Sequence, residues 1–309
     1  MPDLTVTQRS GVQGNLATLR GLSSILIWAS LVAVVKLITE ALTPISGIAL
    51  IYSFSAICLL MFNGVPKIGN MPKAYLLGCG ALFIAYEVLF LTSVALSHSH
   101  EQVMLIAMIN YLWPPITILL SILAKQLNFK WPVWLGFIVS VLGLMLVVNP
   151  DILNLSQFWR VVQQNPLAYG FAFMAALLWP CYNVLTKQYG QGQNAVALFF
   201  SVVALALWGI HFLIDEAFIF PSFHLWLAII LVGAMIGISY SNWDISLQFG
   251  NIKLLILATY FIPILSSVMS MLILDFQPQW TFWLGVVLVS LGAMMCWKNT
   301  SERSSSQNL

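Results

Sequence analysis

Apolar residues run along the chain in long blocks, each closed by a short stretch holding charges, proline, glycine or asparagine. A helix rising 1.5 Å per residue needs about 20 mostly apolar residues to cross roughly 30 Å of hydrocarbon. The blocks predict spans at 21–38, 44–62, 74–96, 102–123, 132–148, 167–186, 195–214, 224–243, 254–274 and 280–297. The expected fold is therefore an all-α integral membrane protein of ten transmembrane helices. Because the first block follows a mixed stretch and no small-residue cleavage site follows it, a retained helix is expected there rather than a signal peptide. Residues 1–19 and 299–309 are rich in Ser, Thr, Gln and Asn without apolar periodicity, so unstructured tails are expected. The longest link, 149–166, sets Leu153, Leu155, Phe158, Trp159, Val161 and Val162 among polar residues, which predicts a short interfacial helix.

The blocks repeat. Trp28 precedes Lys36 by eight residues, and Trp179 precedes Lys187 by the same eight. Tyr111-Leu-Trp-Pro114 matches Tyr260-Phe-Ile-Pro263 at an offset of 149 residues. At that same offset Trp131, Trp134, Gly136 and Gly143 match Trp280, Trp283, Gly285 and Gly292. Such self-similarity at a fixed offset marks duplication. Five spans per half make the second half enter the membrane from the opposite side, giving inverted repeats over 20–148 and 167–298 joined by an extracytoplasmic linker at 149–166.

Composition agrees with this plan: 60% of residues are hydrophobic and 7% charged, where a soluble domain carries about 25% charged residues. A net charge of +2 points to no polyanionic partner such as nucleic acid. With the N-terminus inside, ten of the twelve Lys and Arg fall on cytoplasmic segments and only Lys36 and Arg160 on the other side. That positive-inside bias places both termini in the cytoplasm as 1–19 and 299–309 tails. Cys58, Cys79, Cys181 and Cys296 lie inside predicted spans without ligand spacing, and no P-loop or dinucleotide fingerprint occurs. No metal and no cofactor is expected.

An ionisable group within a span is costly unless it faces a cavity or a partner. Glu87, after Tyr86 in the third span, is the foremost site candidate, against the plainer reading of a carboxyl held by neighbouring hydroxyls as packing. Asp244, at the end of the eighth span, reads as a solvated helix end. Lys36 and Lys187 read as snorkelling to the interface, His211 as a satisfied structural histidine, and His98 and His100 as loop residues. Trp28, Tyr86, Tyr111, Trp113, Trp179, Tyr182, Tyr240, Trp243 and Tyr260 carry polar handles that need partners mid-span. Pro114, Pro115, Pro180 and Pro263 remove helix hydrogen bonds inside spans and predict kinks. At Tyr111-x-x-Pro114 and Tyr260-x-x-Pro263 these kinks either serve as gates or are fixed curvature.

The runs Tyr86-Glu87, Asn110-Tyr111-Leu112-Trp113-Pro114 and Tyr260-Phe261-Ile262-Pro263-Ile264-Leu265-Ser266-Ser267, with Trp28 and Trp179, resemble the YddG-type aromatic amino acid exporters. These belong to the drug/metabolite transporter superfamily, whose members carry two EamA-type repeats. The resemblance runs from about Gly21 to Trp297. It implies a bacterial inner-membrane exporter with a basket-like fold and a central cavity. Carried over residue by residue, it implies a substrate site of Trp28, Tyr86, Glu87, Tyr111, Trp113 and Trp179. Asp244 departs from the pattern expected after Trp243, which puts its role and the preferred substrate charge in question.

The expected function is a secondary transporter exporting amino acids, aromatic ones foremost, by alternating access. An exporter of another metabolite, amine or drug is the alternative. A membrane-embedded enzyme would need clustered His, Asp or Glu, and a channel would need charged rings; neither pattern occurs in the sequence. The expected partners are a small-molecule substrate and the lipid bilayer. Gly136 with Gly143, and Gly285 with Gly292, recur at seven-residue spacing; this serves either a homodimer, with a monomer sufficient for function, or packing between those two helices.

Overall fold

A computed structural model describes residues 4–148, 155–259, 261–274 and 279–302. Among the described residues the chain is all-α apart from one short ribbon, and there each predicted apolar block is mainly helical. The first five blocks give α1 (Leu4–Ala41), α2 (Pro44–Asn63), α3 (Gly80–Ala95) led in by a π-helical stretch at Ala74–Cys79, α4 (His100–Asn110) with α5 (Trp113–Leu123), and α6 (Pro132–Val148). The linker carries α7 (Leu155–Gln164). The second five give α8 (Pro166–Tyr189), α9 (Val196–Leu213), α10 (Phe223–Phe249), α11 (Ile252–Thr259) with α12 (Ile262–Leu274), and α13 (Trp280–Lys298). Among the described residues eight helical stretches are long and apolar enough to cross a membrane: Pro44–Asn63, Ala74–Ala95, Leu105–Leu123, Pro166–Tyr189, Val196–Leu213, Phe223–Phe249, Ile252–Ile273 and Trp280–Lys298.

Local chemistry sets several boundaries. Ser99 accepts a hydrogen bond from the Gln102 N–H at the start of α4, and Asn165 accepts from the Ala168 N–H at the start of α8, just before Pro166. The fourth block is broken rather than kinked: α4 ends at Asn110, a turn covers Tyr111 and Leu112, and Pro114 and Pro115 fall in the first turn of α5. A proline there is tolerated because its missing N–H would be an orphan anyway. Pro263 likewise lies in the first turn of α12. Pro180 is carried inside α8. Tyr260 and the Lys36 side chain lie outside the described residues.

Both tails depart from expectation. The first helix begins at Leu4, well ahead of the apolar block, and its extension has something to pack on. Ala17 and Thr18 are buried, and the Thr18 hydroxyl accepts the Asn251 N–H at 2.9 Å. At the other end Thr300–Glu302 pairs antiparallel with Leu127–Phe129, as strands β2 and β1, while 303–309 of that tail, like 1–3 of the other, lie outside the described residues. Polar composition concealed this pairing, which needs only backbone donors and acceptors.

The helices gather into two compact units, one of Met1–Val88 and Leu185–Leu255, the other of Leu89–Val184 and Ile256–Leu309. In the first, α10 packs on α1 and α2, and α9 on α2. The Ser24 hydroxyl donates to the Ser239 carbonyl and the Ser55 hydroxyl to the Gly233 carbonyl, each at 2.7 Å. In the second, α6 packs on α13 through the repeated glycines. A Cβ at Gly136 would stand 2.8 Å from the Cys296 nitrogen, and one at Gly143 would stand 2.6 Å from the Val289 nitrogen. The Gly136 and Gly143 faces thus pack within the chain.

Candidate functional site

The site candidates lie among aromatic rings and buried polar groups in each compact unit. In the first unit the cluster is built around Glu87, on α3, which is fully buried. Its Oε2 accepts the Tyr52 hydroxyl from α2, and the Tyr240 hydroxyl from α10 is hydrogen-bonded to the same carboxyl. Its Oε1 is buried and has no hydrogen-bond partner among the described residues. No Lys, Arg or His pairs with this carboxyl among them either. The rings around it are fixed by one another: Tyr52 stacks on Phe200 at 5.0 Å, and Phe83 and Phe200 meet the Tyr240 ring edge-on at 5.5 and 5.4 Å. Trp28, on α1, lies 4.9 Å from Tyr240 and 5.2 Å from Trp243. Tyr86 is buried within electrostatic reach of Tyr52 and Tyr240. Trp28, Tyr86 and Glu87 are thus brought together, with Tyr240 as the link.

The second unit carries the other three candidates. Trp113, at the start of α5, meets Trp179 of α8 edge-on at 6.4 Å, and Trp179 stacks on Tyr182 at 4.9 Å. Tyr111, in the turn between α4 and α5, shares a 2.8 Å hydrogen bond with Ser266 of α12. Asn110 and Asn183 are buried beside these elements. Because Pro114 and Pro115 have no N–H, the carbonyls of Asn110 and Tyr111 lack their helical donors. In lipid such groups persist only where protein or a water-filled cavity receives them.

Two residues differ from the sequence expectation. Asp244 is not a solvated helix end: it is fully buried inside α10, and its Oδ2 accepts the Tyr75 hydroxyl at 3.0 Å and the Gln248 amide at 2.9 Å. The Tyr75 hydroxyl in turn accepts the Ala195 N–H. The span simply continues to Phe249, so the residue that ended the apolar run lies a full turn inside the helix. His211 is buried and structural, as expected, and its partner is Glu216 at 2.9 Å. Glu216 also accepts the N–H groups of Ile45 and Ser46 at 3.0 and 2.9 Å. Burial pushes the Glu216 carboxyl upward, yet the hydrogen bonds from His211, Ile45, Ser46 and Thr43 together hold it below its ordinary value.

Tyr52 and Phe200 carried no signal in the sequence, since a tyrosine or phenylalanine in an apolar block is ordinary packing until a partner on another helix is known. Among the described residues no three His, Cys, Asp or Glu side chains gather as a metal site.

No protein-family profile matches the chain. It is 31% identical over 285 residues to the "Aromatic amino acid exporter YddG" of Escherichia coli, covering 92% of this chain and 97% of that protein. The protein of the same name from Salmonella typhimurium is 31% identical over 93% of this chain and 98% of its own length. That of Ancylobacter novellus is 24% identical over 82% of this chain and 87% of its own. A solved structure titled only "Crystal structure of protein" superposes with a TM-score of 0.68 at 23% identity, over 91% of this chain and 96% of that one, a likeness of fold alone.

Proposed function

The chain belongs to the YddG family of aromatic amino acid exporters, and from that premise we propose that it exports aromatic amino acids across the bacterial inner membrane by alternating access. The observation that carries the reading is Glu87: a fully buried carboxyl among aromatic rings, with no basic side chain to neutralise it among the described residues. A charge so placed is expensive unless a cation joins it. A substrate bearing an ammonium group and an aromatic ring supplies both the cation and the apolar surface that Trp28 and Tyr86 would receive beside Glu87, and the cluster of Trp113 and Trp179, with Tyr111, is the candidate aromatic surface of the other unit.

Ten spans in two inverted repeats, with both termini in the cytoplasm, are the topology that the internal duplication and the ten-to-two split of Lys and Arg support. The break at Tyr111–Leu112 is a position at which a gating segment would turn, helped by Pro114 and Pro115, with Pro180, Pro263 and Tyr260 as further gating candidates. Breaks of this kind are how transporters place backbone groups toward a substrate. Aromatic amines form the second reading, because an unneutralised carboxylate suits an amine that lacks a carboxyl group.

Uptake of labelled tryptophan, phenylalanine and threonine by liposomes holding the purified protein tests the proposal. Saturable uptake of the two aromatic substrates is expected, with threonine weaker. Tryptamine moving while tryptophan does not would favour the amine reading, and no movement of any of them would overturn both. With an imposed pH gradient, Glu87→Gln retaining the native pH dependence would exclude proton coupling through this residue.

A further inference from the structure

The two oxygens of Glu87 are treated differently. Oε2 receives the Tyr52 hydroxyl, Tyr240 is bonded to the same carboxyl, and Oε1 is left equally buried with nothing on it among the described residues. Burying an acceptor without a donor is disfavoured, and more so when the group is charged. Folding could have removed that cost by turning either phenol toward Oε1, but neither ring is free to turn. Tyr52 lies nearly parallel to Phe200, 14° between planes, and Tyr240 is packed on Phe83, Phe200 and Trp28 at 4.9–5.5 Å.

The donors present are also of one kind. A phenol contributes a hydrogen bond but no positive charge, so the pair orients the carboxylate without neutralising it. The open oxygen is left for a donor that arrives from outside the protein and brings a charge. The indole of Trp28 and the ring of Tyr240, 4.9 Å apart, offer π faces of the sort that favour such a cation.

We propose that Tyr52 and Tyr240 are positioning residues that fix Glu87 so that its Oε1 receives the protonated amino group of the substrate. This rests on the reading that the Glu87 cluster binds substrate, and it adds which atom does so and which residues aim it. Neither tyrosine is required to touch the substrate itself.

Competition separates the amino group from the ring. Uptake of labelled tryptophan into liposomes is measured against three unlabelled indoles: tryptophan, tryptamine with the amino group alone, and indole-3-propionate with the carboxylate alone. In the native protein, tryptophan and tryptamine compete, and indole-3-propionate competes weakly or not at all. Tyr52→Phe, which keeps the ring and removes the hydroxyl, raises the half-maximal concentrations of tryptophan and tryptamine about tenfold, the weight of one charge-assisted hydrogen bond. It leaves indole-3-propionate where it was. Glu87→Gln shifts the same two at least as far.

A variant that merely loosened packing would weaken all three competitors alike, and that result overturns the proposal. So does indole-3-propionate matching tryptophan in the native protein, or Tyr52→Phe shifting none of them. Tyr240→Phe gives an independent second variant should Tyr52→Phe fail to purify as a folded protein, with the same selective loss expected. Absence of tryptophan uptake by the native protein would instead defeat the underlying reading of the site and is seen before any variant is made.

Discussion

Glu216 closes the first turn of α2 from 171 and 170 residues away in sequence, taking the N–H groups of Ile45 and Ser46. The local candidate, Thr43, makes no such bond to the turn it precedes. A carboxylate at a helix N-terminus that also holds a histidine contributes roughly 1–2 kcal/mol when partly buried. Glu216→Ala is expected to lose about that much, read as a lower thermal midpoint in detergent. The folded-state carboxyl is held below its ordinary value of 4.5, so its contribution is complete above that pH and is lost as pH falls through the lower, folded value. Between pH 6 and 3.5 the native midpoint should therefore fall more steeply than that of Glu216→Gln; parallel curves would contradict the assignment. A glutamate in a loop gives no sequence sign of this role, because the donors it serves belong to a helix in the other half of the sequence. Glu87 was legible for the opposite reason: a carboxyl within an apolar block is conspicuous by cost alone. Asp244 shows the limit of that logic, since the end of a hydropathy block was mistaken for the end of a helix.

Among the elements, α6 and α13 meet through glycines that the duplication had already marked. A Cβ at Gly292 would stand 2.5 Å from the Ser140 nitrogen and 2.6 Å from its hydroxyl, besides striking the Gly136 carbonyl. Gly292→Val is expected to destabilise by about 1–3 kcal/mol through overpacking. By contrast, nothing lies within 4 Å of a Cβ at Gly209 in α9, and Gly209→Ala should be neutral or stabilising by up to about 1 kcal/mol. Thermal midpoints of the two variants should move in opposite senses. Spacing alone left a choice between dimer and internal packing, and only coordinates decide which helix a glycine face meets. The proline pair behaves similarly. Its position was plain from the sequence, but a kinked span and two helices joined by a turn share one hydropathy profile. Replacing Pro114 and Pro115 together by alanine lets the Asn110 and Tyr111 carbonyls regain donors, at about 1 kcal/mol for each bond. The account expects a more stable protein that transports more slowly; unchanged transport would remove the break from the mechanism.

At the scale of the molecule, hydropathy located every helical block because a membrane fixes helix length by its thickness and penalises polar backbone outside helices. It could not locate the ribbon of β1 and β2 or the extension of α1 from Leu4, which lack a long apolar run and are tied to distant segments by backbone pairing and by the Asn251 N–H to Thr18 hydrogen bond. Nor could it show that the two compact units each draw on both halves of the sequence, since such grouping depends on tertiary contacts. The candidate residues stand out in the sequence to the extent that ring-bearing polar residues mid-span are unusual. Of the six candidates, Trp28, Tyr86 and Glu87 gather in one unit, while in the other Trp113 and Trp179 share a ring cluster and Tyr111 is bonded to Ser266. The central claim is that these clusters bind an aromatic amino acid for export. Counterflow of labelled tryptophan into tryptophan-loaded liposomes tests it most directly, comparing the native protein with Trp28→Ala and Trp113→Ala. Saturable counterflow is expected in the native protein, with a loss of about tenfold or more in each variant, since one aromatic ring is removed from each cluster. Full counterflow in both variants, or none in the native protein, would contradict it.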